Sequence, residues 1–184
     1  CAPSRGAILT GRYNHRTGAV DVSSNRGIDR IALSEKTMGD YFRNAGYVTG
    51  LVGKWHSGCY NNEYLPDKRG FDHFYGFPNG WVDYYKWNLL RNGINEESDG
   101  RYLTDVINQE AVSFIESNKN KPFFLYLSHL APHLPYDAPD SLYQKYRRMI
   151  NGAYHDDVAR IYAMIESMDT GLGWVMEKLD ELDL

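Results

Sequence analysis

Cys1-Ala2-Pro3-Ser4-Arg5 places a thiol, a hydroxyl and a guanidinium at the start of a helical pattern that runs through Ala7-Ile8-Leu9 to Gly11. Proline suits a first turn and glycine suits the position just past the last one. Unpaired N–H groups at such a start favour anions and lower the pKa of a thiol. Arg5, one turn along, adds a forked donor that matches a tetrahedral oxyanion. The chemistry implied is a nucleophile within an anion site. The bland reading of the same residues is an ordinary helix start with a solvated arginine.

Lys54 and His56 flank Trp55 just after the apolar run Tyr47 to Val52. Alternate residues at a strand's end project to the same side. His129 and His133 bracket Ala131-Pro132 just after Phe123 to Leu127. In open α/β sheets ligands bind beyond the carboxyl ends of the strands. That placement makes His56 and His133 candidates for proton transfer or anion contact. His15, His73 and His155 follow no such run and read as ordinary polar histidines.

The elements that must position these groups follow from periodicity. Residues 12–33 are polar and irregular and read as a long surface loop. Ser34 followed by Glu35 resembles an N-cap, and Met38, Tyr41, Phe42 and Ala45 then fall at helical spacing up to Gly46. Tyr47 to Val52 reads as a buried strand. Residues 57–103 show little periodicity. Thr104 or Asp105 caps a helix carrying Val106, Ile107, Ala111, Val112 and Ile115. The run 123–127 reads as a strand covered on both faces. A short helix over 140–148 and a long one over 157–182 complete the chain, with Asp156-Asp157 capping the latter rather than pairing on a metal. The order helix, strand, helix, strand, helix predicts an α/β fold with a mainly parallel sheet flanked by helices.

Composition narrows the function. The chain has 184 residues, a net charge of −4 and 42% hydrophobic residues, enough for one core and too little charge bias for disorder. No basic stripe is available to release counterions, which argues against nucleic acid as a partner. No apolar run approaches the ~18 residues that span a bilayer. The two cysteines, Cys1 and Cys59, define neither a zinc pattern nor a disulfide framework, though one bridge between them is compatible with the count. The aromatic stretch from Trp81 to Trp87 suits either a sugar subsite or packing against the core.

Together these segments resemble the type I, formylglycine-dependent sulfatases. Cys1-Ala2-Pro3-Ser4-Arg5 with Leu9 and Gly11-Arg12 is similar to their first signature, C-x-P-S-R then L-x-G-R. Gly53-Lys54-Trp55-His56 is similar to the second, and Ala131-Pro132-His133-Leu134-Pro135 to a later segment that supplies an active-site histidine. Leu65-Pro66, Arg69-Gly70-Phe71-Asp72, Tyr75-Gly76-Phe77 and Asp83-Tyr84-Tyr85 resemble the arylsulfatase B branch and its bacterial relatives. The resemblance implies an alkaline-phosphatase-like domain and a sulfuric ester hydrolase acting on a sulfated carbohydrate or an aryl sulfate. It implies that Cys1 is oxidised by a formylglycine-generating enzyme, that Ca²⁺ is the divalent cation, and that the protein works outside the cytoplasm. The hydrated aldehyde attacks sulfur, and its second hydroxyl then expels sulfate, an exit that a serine-like ester lacks. By the same resemblance Arg5 holds the hydrate, Lys54 contacts diol and sulfate, His56 takes the second hydroxyl's proton, and His133 contacts sulfate and protonates the leaving oxygen. His129 has no counterpart in the site.

The family's Asp pair before the cysteine, its Asp-Asn or Asp-His pair and its second lysine have no match here. The expectation is therefore that residues 1–184 are a piece of one sulfatase catalytic domain, incomplete at both ends. Modified Cys1 is then its single metal ligand, and the piece alone has little activity. Two alternatives stay open: a phosphate or phosphonate monoester hydrolase of the same superfamily, and a non-catalytic glycan-binding relative with an unmodified thiol.

Overall fold

The computed structural model describes residues 1–152 and 154–184 and has the expected α/β architecture. Helices α1 (Ala2–Thr10), α2 (Asn14–Thr17) and α3 (Met38–Asn44) precede strand β1 (Val48–Lys54). Strands β2 (His73–Phe77), β3 (Asn88–Arg91) and β4 (Ile94–Glu97) follow. Then come α4 (Leu103–Asn118), β5 (Phe123–Ser128), α5 (Asp140–Arg147) and α6 (His155–Glu181).

The five strands form one sheet in the order β4-β3-β2-β1-β5. β1 pairs in parallel with both β2 and β5, whereas β2–β3 and β3–β4 are antiparallel. The parallel centre is as the periodicity predicts. The β3–β4 hairpin and β2 lie in the stretch 57–103, where strands of only four or five residues leave little alternation to detect. Successive residues of β1 face opposite layers. Leu51 joins the core with Leu9, Ile31, Trp55 and Phe71, on the side of α1 and α3. Val52 joins the core with Tyr84, Trp87, Ile107 and Met164, on the side of α4 and α6.

Four local expectations are corrected. The cap of α3 is Thr37, not Ser34. The Thr37 hydroxyl accepts from the Asp40 amide (3.3 Å) and the Asp40 carboxylate accepts from the Thr37 amide (2.9 Å), a reciprocal pair that Ser34 is too far upstream to make. Helix α4 starts at Leu103, so Thr104 and Asp105 lie within its first turn, and Tyr102 precedes it without a side-chain cap. Residues 12–33 are not purely a surface loop, because Thr17, Ala19 and Ile31 are fully buried and α2 lies within it. Strand β5 is only half-covered along Phe123–Leu127, since it sits at the sheet's edge.

Candidate active site

Three chain segments converge at the carboxyl ends of β1 and β5. Gly53 makes the approach possible: its φ is +112°, and a Cβ there would lie 2.1 Å from the Ser128 carbonyl oxygen. The two strands therefore close on each other just before Lys54. Trp55 is fully buried and donates its indole N–H to the carbonyls of Gly58 (3.1 Å) and Tyr64 (2.9 Å), which fixes the turn on either side of it. His56 is held at φ +48°, a left-handed conformation that costs a non-glycine residue roughly 1–2 kcal/mol. Its backbone N–H still reaches the Pro78 carbonyl (3.1 Å), extending the β1–β2 pairing.

The imidazole of His56 meets the side chain of Cys1, with Nδ1 2.9 Å from Sγ. Its Nε2 lies 3.3 Å from the Val22 carbonyl oxygen. A carbonyl only accepts, so Nε2 carries the hydrogen and Nδ1 presents its lone pair to residue 1. Burial, and secondarily the charge of Lys54, lower the His56 pKa to about 4, so the ring is neutral near pH 7. Gly80 supports this ring, since a Cβ there would lie 2.9 Å from Cε1 and 3.0 Å from Nε2.

Lys54 is only 1% exposed, and burial followed by the nearby Arg5 charge lowers its pKa to about 8. Arg5 projects from α1 across both strand ends. It donates to the Lys54 carbonyl (2.9 Å), to the Ser128 hydroxyl and to the His129 carbonyl (3.5 Å). Its Nε is buried without a partner among the described residues. The Ser128 hydroxyl in turn donates to the Lys54 carbonyl (2.9 Å), tying α1, β1 and β5 into one polar knot. Ser128 escaped the sequence reading. The only available signal was a hydroxyl closing an apolar run. The carbonyl of Val22 and the missing Cβ of Gly80 leave no side-chain signal at all.

His133 is exposed on a loop whose Ala131-Pro132 bond is cis, and Tyr84 donates to its carbonyl (3.0 Å). His133 shares with Cys1 and His56 the wall of an open cavity of about 760 Å³. Lys54 and Arg5 lie behind that wall rather than on it. The remaining histidines are elsewhere. His129 bonds Asn108 (2.6 Å), His73 bonds Glu110 (2.9 Å), His155 approaches Asp156 (3.3 Å), and His15 stacks on Tyr13. Cys1 and Cys59 are both free thiols, so the bridge left open by their count is not formed. The aromatic stretch divides: Tyr84 and Trp87 are buried in the core, while Trp81 lines the cavity. Among the described residues, no three His, Cys, Asp or Glu side chains gather into a set able to hold a metal ion.

A family model described as Sulfatase matches residues 1–184. An uncharacterised sulfatase of Escherichia coli K12, YdeN, is 34% identical over 96% of this chain and 35% of its own length. The N-acetylgalactosamine-6-sulfatase of Homo sapiens is 31% identical over 99% of this chain and 38% of its own. The crystal structure of Ps i-CgsB in complex with k-i-k-neocarrahexaose superposes with a TM-score of 0.90 at 30% identity, covering all of this chain and 45% of that one. The chain thus spans between 35% and 45% of the length of these three proteins.

Proposed function

This chain belongs to the sulfatase family, and from that premise we propose that it carries the nucleophile side of a sulfuric ester hydrolase acting on sulfated carbohydrates. The observation that supports the reading is the Cys1–His56 contact at 2.9 Å, with the imidazole's proton assigned to the far nitrogen by the Val22 carbonyl. A neutral ring with its lone pair on residue 1 suits a general base for a hydroxyl at that position.

Residue 1, oxidised by a formylglycine-generating enzyme and hydrated, supplies one hydroxyl for attack on sulfur and a second whose deprotonation releases sulfate. His56 Nδ1 accepts that second proton. Lys54, cationic below pH 8, offsets the negative charge of the transferring sulfate from behind the cavity wall. His133, exposed on the same wall, contacts the sulfate and protonates the departing sugar oxygen. Arg5 keeps the start of α1 in register with both strand ends and reaches toward the hydrate. Overall one water is consumed, and sulfate, alcohol and a proton are released.

In this reading the cation is Ca²⁺, and modified residue 1 would be this chain's contribution to holding it. The matched human relative is an N-acetylgalactosamine-6-sulfatase, and Ps i-CgsB was crystallised with a neocarrahexaose. A sulfated galactosamine or galactose unit is therefore the substrate proposed here, met outside the cytoplasm. No helix among the described residues is long and apolar enough to cross a membrane.

The test uses the full-length protein. Turnover of 4-nitrophenyl sulfate well above that of 4-nitrophenyl phosphate is expected, lost in Cys1→Ala. Mass spectrometry of the residue-1 peptide is expected to show sulfur and two hydrogens replaced by one oxygen. A retained thiol together with no sulfate release defeats the reading, and a preference for the phosphate ester transfers it to the phosphomonoesterase alternative.

A further inference from the structure

Trp81 stands apart from the other buried-aromatic architecture of this molecule. Trp55 and Trp87 are at most 4% exposed, and each spends its indole N–H on backbone carbonyls. Trp81 is 58% exposed and lines the same cavity as Cys1, His56 and His133. Its neighbours in sequence do not need it for packing, since Tyr84 and Trp87 already fill the core beneath. A large exposed aromatic face beside polar groups is the usual platform for a sugar ring, which offers it axial C–H bonds and keeps its hydroxyls outward.

Polar partners for such a ring lie in the same wall. Asn79 lines it. Asp83 also lines it and uses only Oδ1 in holding the amides of Tyr85 (2.7 Å) and Lys86 (2.6 Å), which leaves Oδ2 free to accept from a hydroxyl. Lys86 lines it too, is exposed, and forms no ion pair among the described residues. The cavity, about 760 Å³, falls in the range of roughly 300–1,000 Å³ that accommodates ligands well beyond a single sulfate group.

We infer that this cavity seats the second sugar unit of a sulfated oligosaccharide, its ring stacked on Trp81 and an anionic substituent of that unit at Lys86. The inference rests on the sulfated-carbohydrate reading above and deepens it from an ester chemistry to a substrate of at least two sugar units. The site then discriminates oligosaccharides from single sulfated sugars through residues that take no part in the bond cleavage.

The experiment is calorimetric binding to the full-length protein carrying Cys1→Ala, which removes turnover. The probes are galactose 6-sulfate and a galactose disaccharide bearing either one sulfate or two. Trp81→Ala is expected to weaken disaccharide binding about tenfold and monosaccharide binding less than twofold, with Trp81→Phe recovering most of the loss. Lys86→Ala is expected to weaken the disulfated disaccharide about fivefold and leave the monosulfated one within twofold. Equal losses for monosaccharide and disaccharide, an unchanged disaccharide affinity in Trp81→Ala, or no measurable disaccharide binding overturns the proposal. An equal effect of Lys86→Ala on both disaccharides removes Lys86 from it. Absence of 4-nitrophenyl sulfate turnover in the unsubstituted protein is a separate result, which defeats the hydrolase reading while the binding contrast stands on its own.

Discussion

At the scale of single residues, the site is built by depriving charged groups of water. His56 and His129 are both held neutral by burial, with pKa values lowered to about 4 from 6.5. The unfolded chain binds protons that these folded imidazoles refuse. The contribution of these two groups to stability is therefore complete above pH 6.5 and falls as the pH drops from there toward 4. Equilibrium denaturation of the full-length protein across that interval is expected to show the fall, and His129→Gln, which cannot titrate, a shallower one. Lys54 works in the opposite direction on activity. Its pKa of about 8 means that the cation is lost just above neutrality. The log of kcat/KM is expected to decline above pH 8 in the native protein. Lys54→Arg, whose guanidinium stays charged, is expected to be slower at neutral pH but to lack that alkaline limb. An alkaline limb that survives unchanged in Lys54→Arg assigns it to another group.

At the scale of elements, close approach matters more than propensity. Helices α4 and α6 pack where Gly171 faces Asn108: a Cβ at 171 would lie 1.7 Å from the Asn108 amide nitrogen. Two residues on, Gly173 meets nothing within 4 Å. Both glycines sit in the interior of α6 and carry the same helix propensity penalty of about 1 kcal/mol relative to alanine. Gly173→Ala is therefore expected to stabilise the protein by up to about 1 kcal/mol. Gly171→Ala is expected to destabilise it by about 1–3 kcal/mol through overpacking, and to disturb the His129–Asn108 bond behind β5. Thermal denaturation of the two variants side by side reads the contrast, and equal shifts defeat it. The sequence marks both positions as unfavourable for a helix and cannot tell them apart, because the difference lies in a partner 60-odd residues away.

At the scale of the whole molecule, the sheet ends on β5. That strand pairs with β1 on one side, and among the described residues nothing pairs with its other edge. Phe123-Phe124-Leu125-Tyr126-Leu127 is apolar on both faces and only half-covered. An open apolar edge of this kind templates association with a second chain. Residues 1–184 expressed alone are expected to self-associate, as read by sedimentation, and Leu125→Lys, charging the edge strand, is expected to reduce it. A monodisperse monomer at tens of micromolar contradicts this.

The chemistry-bearing residues were legible because they sit at fixed offsets from strong local signals. Cys1 and Arg5 share a helix start marked by Pro3 and Gly11, Lys54 and His56 close an apolar run, and His133 follows another. Helices α1, α5 and α6 and strands β1 and β5 were legible for the same reason, their periodicity being local. The order of these elements likewise pointed to the α/β class, and composition to the lack of a basic stripe, before any contact was known. The tertiary structure alone decided which of these groups meet. It put Cys1 and His56 2.9 Å apart across 55 residues, and it fixed the proton on the far side of the ring through a backbone carbonyl that has no signature in sequence. It moved Lys54 and Arg5 behind the wall, and it split one aromatic stretch into core and cavity face. The physical reason is common to all of these. Residue type and spacing determine what a segment favours locally, whereas burial, proton placement and the removal of water depend on groups brought together from distant parts of the chain.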